Sequence, residues 1–171
     1  MPAQFAEATD RLLRALARSA EDLAADEMDH RPASGGNSIG FDIWHAVRTV
    51  DNVVFFVFDR ERPVWLAEAF DERFGLPRTA QGTGMPEEEA HALRFPEGAQ
   101  LVEYIEAVRA AVVPRLAAMS MDYLAEPVLL KPWGELPRME HVNQVILAHG
   151  NGHLGRVSLA RALLGKFDLD I

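Results

Sequence analysis

Apolar residues recur along this chain at helical spacing in several long stretches, separated by segments rich in proline and glycine. Phe5, Leu12, Leu13, Leu16, Ala20 and Leu23 share one side of a helix, which predicts an amphipathic helix over 3–25. After the turn-rich "DHRPASGGN", Ser38 offers an N-cap, and the Pro-free run "IGFDIWHAVRTVDNVVFFVFDRE" predicts a second helix of about six turns. Residues 62–97 break the pattern with Pro63, Pro77, Pro86 and Pro96, although "VWLAEAFDERFG" predicts a short helix of its own. A connection that long in a compact domain is more often functional than idle. Leu101, Tyr104, Ile105, Val108, Val112 and Leu116 form the stripe of a third helix, opened by Pro96 and bent at Pro114. A fourth helix runs from about Met139 to Leu164. With no strand signal beyond "PVLL", the pattern predicts one all-α domain over 1–171: a four-helix bundle with a long crossover between helices 2 and 3.

Composition narrows what such a domain can bind. Apolar residues make up 49% of the 171 positions, enough for one well-buried core. The formal charge of -9 argues against nucleic acid and anionic membrane surfaces and favours a small-molecule substrate or another protein. The N-terminus lacks the basic start and apolar run of a signal peptide, and no apolar run reaches the roughly 18 residues of a membrane helix, so a cytoplasmic protein is expected. The absence of cysteine means that any thiol chemistry must come from a bound molecule.

Chemistry concentrates in "ILAHGNGHLGR", residues 146–156, where a helix accepts three glycines beside two histidines. At about 100° per residue, His149 and His153 lie within about 40° of each other, on the side of Val142, Ile146, Val157, Ala160 and Leu164. Two core-facing imidazoles four residues apart must satisfy their ring nitrogens at one place, either by hydrogen bonds or by a shared metal. Gly150 and Gly152 flank that face and would let neighbouring helices approach; Gly155 lies nearly opposite. His45 sits on the side of its helix opposite Ile43, Val47, Val50, Val54 and Phe58, with Asp42, Arg48, Thr49 and Asn52. It reads either as a surface residue or as a ligand at a cleft shared with the fourth helix. That apolar side of the second helix serves equally as core or as a dimer interface. Asp51 lies on the apolar side, where it either orients a ligand or pairs with an arginine. His30, His91 and His141 carry no such signal.

In order, "RPASGGNSIGFDIWHAVRTVDNVVFF", "ERFGLPRTAQGTGMPEEEAHALR", "YIEAVRAAV" and "HGNGHLGRVSLARALLGK" resemble the DinB-like superfamily of metal-binding four-helix bundles over nearly the whole chain. The resemblance implies that His45, His149 and His153 hold a divalent metal, zinc or nickel, with water completing the shell. It also implies activity as a thiol-dependent transferase or isomerase using a low-molecular-weight thiol, and a homodimer. The last motif often continues with Gln or Glu after its glycine. Arg156 stands there instead, either as an anion contact at the mouth of the site or paired with Asp51, Asp59 or Glu61. Position alone makes Trp44, Tyr104, Trp133 and the 62–97 segment candidate pocket walls. A metal-activated water would make a hydrolase, but no Glu follows His149 as in H-E-x-x-H proteases. A non-catalytic metal-binding dimer in a stress response is the remaining alternative.

Overall fold

A computed structural model of the chain describes residues 1–32 and 35–166; Ala33 and Ser34 of the predicted turn, and the end of the chain from 167, lie outside the described residues. The described chain is mostly helical. Its elements run α1 (Pro2–Ala20), α2 (Ala25–Met28), α3 (Ile39–Asp51), α4 (Val64–Ala67), α5 (Phe70–Phe74), α6 (Glu87–Ala92), α7 (Gly98–Ala118), α8 (Met121–Ala125), β1 (Pro127–Leu130), β2 (Gly134–Pro137), α9 (Arg138–His141) and α10 (His149–Leu163). Two π-helical segments extend this set: Asn52–Val57 continues α3, and Val142–Ala148 joins α9 to α10. No described helix is long and apolar enough to cross a membrane.

The long helical segments bury the stripes that their spacing predicts. Leu12, Leu13, Leu16 and Ala20 of α1 are buried, as are Leu101, Ile105, Val108, Val112 and Leu116 of α7. Each such leucine or isoleucine contributes roughly 1.5–3 kcal/mol of burial. α1 and α7 pack most closely where α7 begins: the Gly98 amide donates to the Leu23 carbonyl at 2.9 Å, and a Cβ on Gly98 would lie 1.7 Å from the Ala20 carbonyl oxygen. α3 begins as its cap predicts, with Ser38 Oγ accepting from the Phe41 amide. Its apolar side, Ile43, Val47, Val50 and Val54, is core and not free surface. α7 starts at Gly98 and continues through Pro114.

Three elements depart from expectation. α1 ends at Ala20, and the rest of the predicted first helix is a turn followed by α2. The short helix predicted over 64–75 is split into α4 and α5 by Ala69, whose φ of 53° is left-handed. "PVLL" is one strand of a small antiparallel hairpin, β1 with β2, in which Val128 faces Leu136 and Leu130 faces Gly134. Isolated two-stranded hairpins are marginal. This one is held by His141 at the end of α9, whose buried ring places Nε2 2.9 Å from the Val128 carbonyl oxygen.

Candidate metal centre

α3 and α10 pack side by side, and their histidines meet between them. His45 Nε2 lies 3.1 Å from His149 Nε2, which lies 2.9 Å from His153 Nε2. His45 and His153 are buried, and His149 is half-buried. Helical spacing places His149 and His153 on one face. The face of α3 that carries Asp42 and Thr49 supplies His45 and is covered by α10 and the crossover, which is why a residue on a polar face is 6% exposed.

The proton positions decide what this cluster can hold. A neutral imidazole has one N–H and one lone pair. His45 Nδ1 lies 2.5 Å from the Gln81 carbonyl oxygen, and His153 Nδ1 lies 2.8 Å from Asp42 Oδ1. Both partners are acceptors, so His45 Nδ1 carries the proton and its Nε2 presents a lone pair; at His153 the Asp42 carboxylate favours the same tautomer, while a terminal nitrogen of Arg156, a donor only, stands 2.6 Å from Nδ1 and 3.0 Å from Nε2. The Nε2 atoms of His45 and His153 converge on His149 Nε2, whose single N–H can serve at most one of them, with Arg156 3.0 Å from the Nε2 of His153. Three nitrogens each about 2.0–2.1 Å from one ion stand roughly 3 Å apart; two of the separations here are 3.1 and 2.9 Å and all three ligand atoms lie within 4.8 Å of one another, so the donor set fits a divalent metal. The rings of His45 and His149 are also poised in the neutral form a ligand requires. Burial, with the neighbouring histidines adding to it, lowers the pKa of His45 to about 4, and burial followed by the charges of His153 and Arg156 lowers that of His149 to about 4. Among the described residues this is the group of His, Asp and Glu side chains arranged to hold a metal ion.

A cavity of about 430 Å³ opens on the three histidines, within the range of small-molecule sites. Phe41 and Val53 from the second long helix, Val145 from the π-helical segment before α10, and Leu130 and Trp133 from the hairpin give it apolar walls. Residues 81–85 of the crossover close another side. Trp133 is partly exposed and meets His149 edge-on with ring centroids 6.1 Å apart.

The other residues singled out from sequence divide sharply. Arg156 reaches the centre: its Nε donates to Asp42 Oδ2 at 3.3 Å, and one terminal nitrogen lies 2.6 Å and 3.0 Å from the ring nitrogens of His153. It does not pair with Asp59 or Glu61, because Arg115 holds both. Trp44 and Tyr104, expected in the pocket wall, are fully buried in the core instead. Trp44 packs against Phe41, Trp65 and Phe95, and Tyr104 against Trp65 and Phe70. Asp51, expected to orient a ligand or pair with an arginine, orients no ligand but does pair with Arg48, whose Nη1 lies 3.9 Å from its Oδ2 with both side chains buried. Its oxygens also accept from the amides of Val64 and Trp65 and from the Tyr104 hydroxyl at 2.8–2.9 Å. Asp42 fills the role in its place. Its signal in the sequence was its position on the His45 face of α3, one turn before that histidine. Gln81 carried no signal, since it acts through its backbone. Gly150 does permit close packing, as a Cβ there would lie 2.6 Å from Leu12 Cδ2, but Gly152 and Gly155 face open space.

Comparisons with known proteins agree with this architecture. Curated proteins give no match. A solved structure described as the conserved protein of locus from Enterococcus faecalis is similar in fold, with a TM-score of 0.81 at 21% identity, covering 95% of this chain and 96% of that one. The model of the DinB superfamily matches residues 4–157, and the chain belongs to that superfamily.

Proposed function

We propose that the whole chain is one four-helix-bundle domain that binds a divalent metal, zinc or nickel, through His45, His149 and His153, and joins a low-molecular-weight thiol to a small electrophile. The four helices of the bundle are α1, α3 with its π-helical extension, α7 and α10. The segment between the second and third of these is the crossover that walls the pocket. The observation that carries this reading is the convergence of three imidazole Nε2 atoms beside a cavity of about 430 Å³.

Three protein nitrogens leave positions free for exogenous ligands, and a bound divalent metal would lower the pKa of a thiol or water placed there. The chain's own residues do the rest. Asp42 and Gln81 fix the tautomers of His153 and His45. The apolar walls and Trp133 take the body of the electrophile and limit water. Arg156, half-exposed and already at the edge of the centre, is placed to meet an anionic group of the substrate. The chain contains no cysteine, so the attacking sulfur belongs to the cosubstrate, and its proton leaves to solvent as the carbon–sulfur bond forms. As that bond forms, the electrophile's π bond breaks and its electron pair takes up a proton from solvent, or a leaving group departs with the pair. If the thiol is later expelled from an adduct of the first kind after rotation about the former double bond, the π bond re-forms and the net change is an isomerisation. We assign the protein to the cytoplasm and to a homodimeric state on the same reading.

Metal content of the purified protein tests the first half. One equivalent is expected in the wild type and essentially none in His153→Ala; unchanged metal in that variant would overturn the triad. Incubation with a panel of small thiols and an electrophilic acceptor tests the second half. A conjugate detected by mass supports transfer, and its absence in metal-loaded protein leaves a non-catalytic metal binder.

A further inference from the structure

The crossover and the metal centre are joined at one point. Among the described residues, the hydrogen bond that ties residues 79–85 to the rest of the protein runs from His45 Nδ1 to the Gln81 carbonyl. The next residue makes that approach sterically feasible. Gly82 has φ +98°, and a Cβ built there would lie 2.8 Å from His45 Nδ1 and 2.9 Å from Phe41 Cζ. Neither neighbour has slack. His45 is 6% exposed, and Phe41, 5% exposed, lies nearly parallel to it with ring centroids 5.8 Å apart. Gly84, two residues on, also has a positive φ, +69°, but a Cβ there meets nothing within 4 Å.

We infer that Gly82 is a positioning residue: it lets the crossover press its backbone carbonyl onto His45, so that the wall of the pocket also aims one ligand of the centre. This rests on the three-histidine metal reading and extends it. Because His45 Nδ1 donates to the loop while its Nε2 faces the centre, a loop displaced by a molecule in the pocket changes the aim of His45. By linkage, metal on His45 holds the loop in return. The pocket and the centre are thus coupled through a single backbone contact.

The paired variants Gly82→Ala and Gly84→Ala separate this effect from the general strain of a side chain at positive φ. Zinc affinity, measured by competition with a chromophoric chelator, should weaken about tenfold or more in G82A, the range found when a partner of a ligating histidine is lost. G84A should stay close to wild type. A second readout needs no metal: nitrogen-15 spectra of the histidine rings should show His45 protonated at Nδ1 in the wild type and G84A, and a mixed or inverted tautomer in G82A. Thermal melting confirms that both variants fold. Equal zinc affinity in the two variants, or an undisturbed His45 tautomer in G82A, would overturn the inference. A wild type that binds neither zinc nor nickel would sink the three-histidine reading itself, and the tautomer comparison would still decide whether Gly82 positions His45.

Discussion

Two aspartates stand at opposite ends of α3, both buried, and the helix uses them for unlike purposes. Asp51, in the last turn, accepts two backbone amides and a tyrosine hydroxyl, all from groups fixed by the fold. Asp42, in the first turn, meets an imidazole N–H, a guanidinium and the Asn37 amide. Burial drives the Asp51 pKa upward, only partly offset by the amides of Trp65 and Val64 and by Tyr104. A carboxylate saturated by backbone amides anchors a chain reversal, here the start of α4. A carboxylate whose partners are a histidine and an arginine beside a cavity orients chemistry. For a buried acid, the kind of partner distinguishes scaffold from site better than burial does.

The largest effect expected from breaking this division is on Asp51. Asp51→Ala orphans two buried amides and a buried hydroxyl and should lower stability by about 3 kcal/mol. That corresponds to roughly 6–12 °C in melting temperature for a chain of this size. The folded fraction should keep its metal; loss of metal without loss of stability would reverse the two roles. Next comes Asp42→Asn, which should weaken metal binding about 10- to 100-fold while moving the melting temperature much less than Asp51→Ala. A calorimetric titration beside a melting curve checks both halves. A smaller effect concerns the tyrosines, Tyr104 and Tyr123. Burial first, then Asp51, holds the Tyr104 pKa well above 10, and burial with the Asp59 hydrogen bond raises that of Tyr123 to about 12. The folded state therefore keeps phenolic protons that the unfolded chain releases near 10. That contribution is fully present below 10 and is lost as the pH climbs toward 12. Phenolate absorbance should stay flat until alkaline unfolding begins, and a signal near pH 10 in intact protein would contradict the packing of Tyr104 against Asp51 or of Tyr123 against Asp59. The smallest change is at Gly152, which faces open space. Gly152→Ala should raise stability by about 0.5–1 kcal/mol and leave metal content alone, whereas Gly150→Ala must displace Leu12.

What the sequence revealed follows from the range of the interactions involved. The long helices were legible because their apolar stripes depend on spacing alone, and His149 with His153 because four residues make one turn. His45 was half legible: its helix face was correct, but only the packing of α10 and the crossover shows that this face is covered. Trp44 and Tyr104 were misplaced because aromatic side chains serve a core as readily as a pocket wall. The arginine partner of Asp51 is legible as Arg48, three residues back on the same helix, but its backbone-amide partners are not, because no residue identity announces them. Gln81 acts through its carbonyl and was invisible for the same reason. Of Gly150 and Gly152, both expected to permit close approach, only Gly150 does so, since an angular count gives a direction around the axis without saying whether another helix stands there.

The π-helical segment Val142–Ala148 lies between the hairpin and the two histidines of α10. Such a segment holds an extra residue within an otherwise α-helical path. A chain one residue shorter there would keep His149 and His153 in register with each other, yet would turn everything upstream by about 100° about the helix axis. Trp133 and Leu130 travel with that upstream part, whereas Phe41 and Val53 do not. The aperture of the pocket therefore depends on the residue count of this segment, and a one-residue deletion within it is expected to change which molecules enter without altering a single histidine.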